Sequence, residues 1–281
     1  MADDAVPTGG IAVKKTPEAG QAHRIVLSPE EIRGQDVVLS AANTHHVREV
    51  LRLRHGALVR GLVPAGAAPG YDLVLRVGDM WEHRQQLSLV ERIELVAEPQ
   101  LAIEVCQGLS RGERFEITLQ KCTEIGAVSF VPLLTERTVL RPDVRQRGQR
   151  MQRWQRIIEE AALQSGRTRI PTLAEPIDLE RLVDLAVAAP VDISLIAYEA
   201  EHNPFRTYVQ SRRNTGQVPR TARIVIGPEG GLARTEVDYL TAAGFTPVSL
   251  GPRILRTETA GPVMTALLLY EFADLGGLSG G

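Results

Sequence analysis

The sequence predicts an α/β protein in which a parallel sheet follows a small β-rich module. Three observations carry this. From Leu101 onward, short apolar runs of strand length alternate with stretches of helical period, the order that builds a parallel sheet. Near the C-terminus two of those runs end in glycine turns, Gly227-Pro-Glu-Gly-Gly231 and Leu250-Gly-Pro-Arg253. Before Glu98 the pattern is different, with short strands separated by turn-forming clusters.

Residues 1–22 are rich in Gly, Ala, Pro and Lys without periodicity and read as a disordered extension. Strands are expected at 24–27, 36–40, 57–63, 71–77 and 86–96, around the turn cluster 64–70. One helix, 41–53, interrupts them, with Val47, Val50 and Leu51 on one face. Residues 23–98 therefore read as a small β-barrel-like domain, and 99–281 as the α/β domain. In the second domain strands are expected at 101–107, 128–133, 191–197 and 223–226. Helices are expected at 113–125 (Phe115, Leu119 and Cys122 inward), 149–164 (Met151, Trp154, Ile158 and Ala161 inward) and 235–243. A terminal helix follows Thr257 or Thr259 as cap, with Pro262 in its first turn, where a missing N–H costs little.

With 281 residues, 43% hydrophobic and 23% charged, the chain is long enough for two cores. Its net charge of −2 announces no nucleic-acid partner, but nine arginines fall between Arg137 and Arg169 against three acids. Such a cluster suits a polyanion; a solvated helix face is the plainer alternative. Cys106 and Cys122 make neither a disulfide framework nor a metal site and read as buried thiols. His45 and His46 are adjacent, so on a helix they diverge by about 100° and do not share one ion. No run approaches the ~18 apolar residues of a membrane span, and no signal-peptide pattern opens the chain, so a cytoplasmic protein is expected. Serine-nucleophile, phosphate-loop and paired-histidine motifs are absent.

The glycine turns carry the site. Glycine after a buried strand lets the backbone approach a flat ligand, and two such turns at neighbouring strand ends describe a ligand site at the C-terminal edge of a parallel sheet. The pattern differs from the dinucleotide fingerprint, and a tight strand-to-helix turn is the plainer reading of either turn taken alone.

Together, Ile226-Gly-Pro-Glu-Gly-Gly231 and Leu250-Gly-Pro-Arg-Ile-Leu-Arg-Thr-Glu-Thr-Ala260 resemble the signature of the RsmE family, uridine-N3 methyltransferases of small-subunit ribosomal RNA in the SPOUT class. The resemblance extends through Arg111-Gly-Glu-Arg-Phe-Glu116, Gln120-Lys-Cys-Thr-Glu-Ile-Gly126, Pro132-Leu-Leu-Thr-Glu-Arg137, Trp154 to Arg167 and Ala197-Tyr-Glu199. In the first domain it reaches His46-x-x-x-Val-Leu-Arg52. It implies a PUA-like RNA-binding barrel, a SPOUT-type parallel sheet with a deep trefoil knot, S-adenosyl-L-methionine as cofactor, no metal, and a homodimer acting on the 16S RNA of the small ribosomal subunit. Carried over by position, cofactor contacts fall on Tyr198, Glu199, Gly227, Glu229, Gly230, Gly231, Leu250, Gly251, Ile254, Leu255 and Thr259. RNA contacts fall on Arg24, His46, Arg52, Arg111, Arg114, Arg137 and Arg167.

Methylation at uracil N3 requires loss of a proton and stabilisation of the resulting anion. An arginine fork toward O2 or O4 suits that task. Arg256 is the first candidate and Arg253 the second; if the segment is helical, their spacing puts both on one side. Glu229 and Glu258 are candidate general bases, loss of the proton to water being the alternative. A ribose 2′-oxygen methyltransferase and a non-catalytic RNA-binding assembly factor are the competing functions.

Overall fold

The computed structural model describes residues 22–65, 68–93, 98–139, 144–273 and 275. The expected extension up to residue 21, part of the turn cluster 64–70, the end of the strand expected at 86–96, and Arg141 lie outside them. The chain divides into two compact units: the residues before Glu98 together with Gly166–Arg169, and the remainder. Gly166–Arg169, expected in the α/β domain, joins the first unit because the Gly70 N–H donates to the Thr168 carbonyl at 3.0 Å.

In the first unit, six strands follow the sheet order β1 (Arg24–Val26), β4 (Leu58–Ala65), β5 (Ala68–Trp81), β6 (Arg84–Ile93), β3 (Asp36–Val38), β2 (Ile32–Arg33). All neighbours are antiparallel except β1 and β4. Among the described residues β1 and β2 remain unpaired to each other, so the sheet is open where the sequence predicts a barrel. The link between them is a 3₁₀ turn, Pro29–Glu31, rather than a hairpin, and β2 has only two residues. The helix expected over 41–53 is shorter: α1 (Ala41–His45) runs into a π turn, His46–Val50, closed by Leu51 N–H donating to the His46 carbonyl at 2.9 Å. The wider turn removes Val50 from the inward face, leaving it 58% exposed while Val47 is fully buried.

The most deeply buried charge of this unit is Asp72. The Asp72 carboxylate has no exposed side-chain surface and receives Arg24 Nη2 and Arg60 Nη2, each at 2.5 Å. Arg24 Nε also donates to it. Two cations sharing one carboxylate leave it compensated in a place where an unpaired charge is costly.

In the second unit every sheet pairing is parallel. The order is β10 (Ile177–Asp178), β8 (Ser129–Leu134), β7 (Ala102–Gly108), β12 (Thr221–Ile226), β11 (Ile193–Ala197), β13 (Thr246–Val248), with β9 (Thr172–Leu173) beside β8. β12 is buried from Ala222 to Ile226, as a strand with helices on both faces must be. Its residues alternate. Ile224 and Ile226 join Ile103 and Val105 against α2 (Arg114–Ile125), α3 (Val144–Gln164), α5 (Phe205–Arg213) and α7 (Thr257–Phe272). Val225, Cys106 and Ile196 face α4 (Leu179–Ala188) and α6 (Arg234–Ala242).

Phe115 and Trp154 fix α2 to α3, with ring centroids 4.6 Å apart. Gly126, at φ 135°, ends α2. The thiols of Cys106 and Cys122 are buried, and burial pushes Cys122 up to about 12. α4 and α5 have no counterpart in the sequence reading. Pro262 lies beyond the first turn of α7, in the helix interior, where its missing N–H leaves the Glu258 carbonyl without its usual partner. Among the described residues no helix is long and apolar enough to cross a membrane.

The buried charge cluster makes a checkable expectation. Asp72→Ala leaves two guanidinium groups facing each other out of water and is expected to cost about 3–5 kcal/mol of stability. Denaturant unfolding of the full chain reads this loss; an unchanged midpoint would show that the arginines find other anions.

Candidate functional site

Three neighbouring strands, β12, β11 and β13, release their chains at the same edge of the sheet. The loops that leave them, 227–233, 198–203 and 249–256, enclose a cavity of about 530 Å³. A crevice outside the carboxyl ends of parallel strands is where such sheets bind ligands.

The loop after β12 is held from below. Gln107, at the end of β7, donates from Nε2 to Thr257 Oγ1 at 2.7 Å, and Thr257 donates to the Gly227 carbonyl at 2.6 Å. Side-chain atoms are excluded at this junction. A Cβ on Gly108 would lie 2.5 Å from Pro228 N, and one on Gly227 would lie 2.7 Å from the Gly231 carbonyl carbon. Gly231, at φ 69°, closes the turn by donating to the Pro228 carbonyl at 2.9 Å, and its backbone lies under the Glu199 carboxylate.

From outside, the loop after β8 clasps the same turn. Arg137 Nη1 donates to the Gly230 carbonyl at 2.7 Å, and Glu236 takes the N–H groups of Glu136 and Ala233. The nearest atoms to a Cβ at Gly230 would be the methylenes of Arg137, the closest at 3.4 Å. The requirement for glycine therefore sits at 227 and 231.

Four charged side chains line one wall of the cavity. Glu229 Oε1 accepts from the Arg111 backbone N–H at 2.7 Å and from Arg114 Nη1 at 2.8 Å. Burial works against its charge. The backbone N–H groups of Glu229 itself and of Arg111, with the Arg114 guanidinium, nonetheless hold its carboxyl below the usual carboxylate range. Arg114 Nε lies 3.9 Å from Glu258 Oε2, and Arg256 Nη1 lies 3.9 Å from Glu258 Oε1. Arg256 itself is 82% exposed in its side chain, free to reach a ligand.

The expected catalytic residues Arg253, Arg256 and Glu229 all line the cavity. The helical premise for the arginine pair is corrected: residues 253–256 are non-helical and Arg256 is the N-cap of α7, in an extended conformation. Of the expected cofactor residues all line the cavity except Thr259, which is exposed on α7; Thr257, two residues earlier, faces inward instead. Thr257 is thus the first helical residue and a tether to Gly227, while no side-chain cap bond forms at Arg256.

The expected RNA residues divide. His46, Arg52, Arg111 and Arg137 are exposed. Arg114 belongs to the cavity wall. Arg24 is tied to Asp72, and Arg167 is 2% exposed; a buried guanidinium meets no phosphate in this conformation. Gln107 was missed altogether, since a single glutamine inside an apolar strand gives no sequence signal of a tether 150 residues away.

A parallel sheet with a glycine-walled cavity at its carboxyl edge defines a ligand-binding α/β domain, and residues 97–269 match the family model for the RNA methyltransferase domain. The chain belongs to the RsmE family. It is 35% identical over 253 residues, 87% of this chain and 76% of the other, to the ribosomal RNA small subunit methyltransferase E of Synechocystis. Among solved structures, a Legionella pneumophila methyltransferase in complex with the cofactor SAM is 31% identical with a TM-score of 0.79, covering 91% of this chain and all of that one. The ribosomal RNA small subunit methyltransferase E of Neisseria gonorrhoeae, bound to S-adenosyl methionine, is 28% identical with a TM-score of 0.76 over 90% and 99% of the two chains.

The two central glycines of the turn should separate in a stability measurement. Gly227→Ala places a methyl against fixed backbone and is expected to cost about 1–3 kcal/mol. Gly230→Ala should stay within about 0.5 kcal/mol, since only a flexible stem has to give. Equal losses in thermal or denaturant unfolding would contradict the assignment of the close approach to 227.

Proposed function

We propose that the protein transfers a methyl group from S-adenosylmethionine to N3 of a uridine in the 16S RNA of the small ribosomal subunit. The observation that carries this reading is the cavity at the carboxyl edge of the sheet, walled by glycine backbone on one side and by Arg114, Arg256 and Glu258 on the other. The residues fit an adenosyl ligand. At Gly227 and Gly231 the turn leaves no room for a side chain, Leu250, Ile254 and Leu255 offer apolar faces to a flat base, and Glu199 stands beside the turn to accept from hydroxyl groups. When bound, S-adenosylmethionine supplies an electrophilic methyl group on a positively charged sulfur.

The protein's own task is then to hold a uracil against that methyl, exclude water and stabilise the anion. Arg256 is placed to donate to a uracil oxygen, and its exposure is consistent with a group that becomes fully engaged only with RNA present. Arg253 lies on the same loop and shares the cavity. Glu229 orients Arg114 rather than moving a proton, because two donors already occupy one oxygen and its carboxyl stays ionised.

In this reading exposed His46 and Arg52 are RNA contacts of the first unit, whose open six-stranded sheet serves as a PUA-like RNA-binding unit, and exposed Arg111, Arg153 and Arg156 are RNA contacts of the second. Each phosphate neutralised adds about 0.7–0.9 to the salt slope of binding. The C-terminal chain forms the trefoil knot of the SPOUT class. In support, α7 packs against α2, where a Cβ on Gly261 would meet Thr118 at 3.2 Å, and Thr257 is tied to the loop after β12. A homodimer in the cytoplasm completes the reading; Tyr270, 63% exposed, stands on the outward face of α7.

Small-subunit particles from a strain lacking the enzyme, methylated and digested to nucleosides, should yield N3-methyluridine; a ribose-methylated uridine would overturn the assignment. In the same assay Arg256→Ala is expected to slow single-turnover methylation by about 10²–10³ with little change in cofactor affinity. Arg256→Lys should recover little, because a point charge lacks the fork. Light scattering at micromolar concentration should give twice the 30.7 kDa chain mass; an active monomer would remove the dimer.

A further inference from the structure

Three glutamates line the cavity, Glu199, Glu229 and Glu258, and among them Glu258 alone presents a buried oxygen that no donor of the described residues reaches. Glu229 is engaged by Arg111 and Arg114. Glu258 Oε2 is a buried atom, yet no hydrogen-bond donor of the described residues reaches it. Its surroundings are cationic without being bonded: Arg114 Nε from α2 and Arg256 Nη1 from its own segment each stand 3.9 Å from one of its oxygens. Glu229, on the loop after β12, faces it across Arg114, and Arg253 and Glu199 complete the charged groups of the cavity. Glu258 lies in the first turn of α7, which Thr257 fixes to Gly227, so its position is set by the same tether that sets the glycine turn.

A buried carboxylate oxygen facing a cavity between two arginines asks for a ligand that donates one hydrogen and carries acceptors on either side. The imide edge of uracil has that pattern, N3–H between O2 and O4. We propose that Glu258 accepts the N3–H of the target uridine, so that it both selects uridine and takes the proton. The proposal rests on the function inferred above.

In the step, the N3–H bond breaks and the proton passes to Glu258 Oε2, while N3 keeps the electron pair. That pair forms the new N–C bond as the methyl–sulfur bond breaks with its electrons remaining on sulfur, and the proton then leaves to solvent. Arg114 and Arg256 flank the carboxylate where negative charge appears on the uracil oxygens. Cytidine presents a lone pair at N3. Against the same carboxylate it meets repulsion, so discrimination follows from the side chain that accepts the proton.

The test uses the full-length protein, small-subunit particles and S-adenosylmethionine, comparing wild type with Glu258→Gln in single turnover from about pH 7 to about pH 9. Wild type should vary little over this range. Glu258→Gln should be slower by about 10²–10³ at neutral pH and should rise about tenfold per pH unit, because ionisation of the uridine in solvent replaces the missing acceptor. Its calorimetric affinity for S-adenosylmethionine should stay within about twofold. Particles carrying cytidine at the target position should gain relative to uridine in the variant.

A variant with the wild-type rate, a flat pH profile at reduced rate, or a loss of rate matched by loss of cofactor affinity would each overturn the role of Glu258. A wild-type product other than N3-methyluridine would instead remove the function on which it rests.

Discussion

The site depends on the hydrogen-bonded chain from Gln107 through Thr257 to the Gly227 carbonyl. These three residues belong to the ends of β7, α7 and β12, which are far apart in sequence. The chain joins the middle of the sheet to the start of the last helix, and it does so in a buried place where a lost partner is costly. The close approaches of Gly108 to Pro228 and of Gly227 to Gly231 are possible because that tether draws the loop down onto the strand ends. Three of the four charged side chains of the wall inherit their position from this junction: Glu229 is two residues beyond Gly227, and Arg256 and Glu258 flank Thr257.

Two of the cavity's three glutamates, Glu229 and Glu258, show how hydrogen bonding divides chemical labour. Both lie near Arg114, so proximity to a cation does not distinguish them. Glu229 accepts a backbone N–H and a guanidinium N–H on one oxygen, which stabilises the charged form and makes it a poor place to put a proton. Glu258 has cations nearby but not bonded, and keeps one buried oxygen uncommitted. A single-residue reading of the sequence cannot separate them, since both are acids next to glycine-turn segments. Geometry does.

Much of the second unit was legible. Apolar periodicity placed β7, α2, β8, β11, β12 and α6 to within a few residues, and of the inward set of α3, Trp154, Ile158 and Ala161 are buried while Met151 is partly buried against the same core. The helix of α4 was missed although Asp178 caps it and Leu179 and Leu182 are buried beneath it. The signal was present, but it lay in a stretch without strong turn markers. In the first unit two local rules misled. A helical period over 41–53 hid the π turn that expels Val50, because nothing in composition marks a wider turn. Alternating strands suggested closure, whereas closure depends on register and tilt across non-neighbouring strands. The site followed the same division: glycines and arginines announced the cavity, and the tether from Gln107 did not.

Arginine counting was the weakest sequence argument, and the reason is physical. A guanidinium serves equally well as a phosphate ligand, a buried counter-ion or a backbone clamp, and the residue type is the same in each. Arg24 neutralises the buried Asp72 with Arg60, Arg223 pairs with Glu104 within the sheet, and Arg137 holds the Gly230 carbonyl. These roles need a fixed fork, which lysine does not supply. They also consume positive charge that a net count assigns to the surface. In a chain of net charge −2, the field that RNA meets is therefore set by the arginines left exposed, such as Arg52, Arg111 and Arg256, rather than by their total. The density of arginine in this sequence reflects construction of the fold as much as recognition of a polyanion.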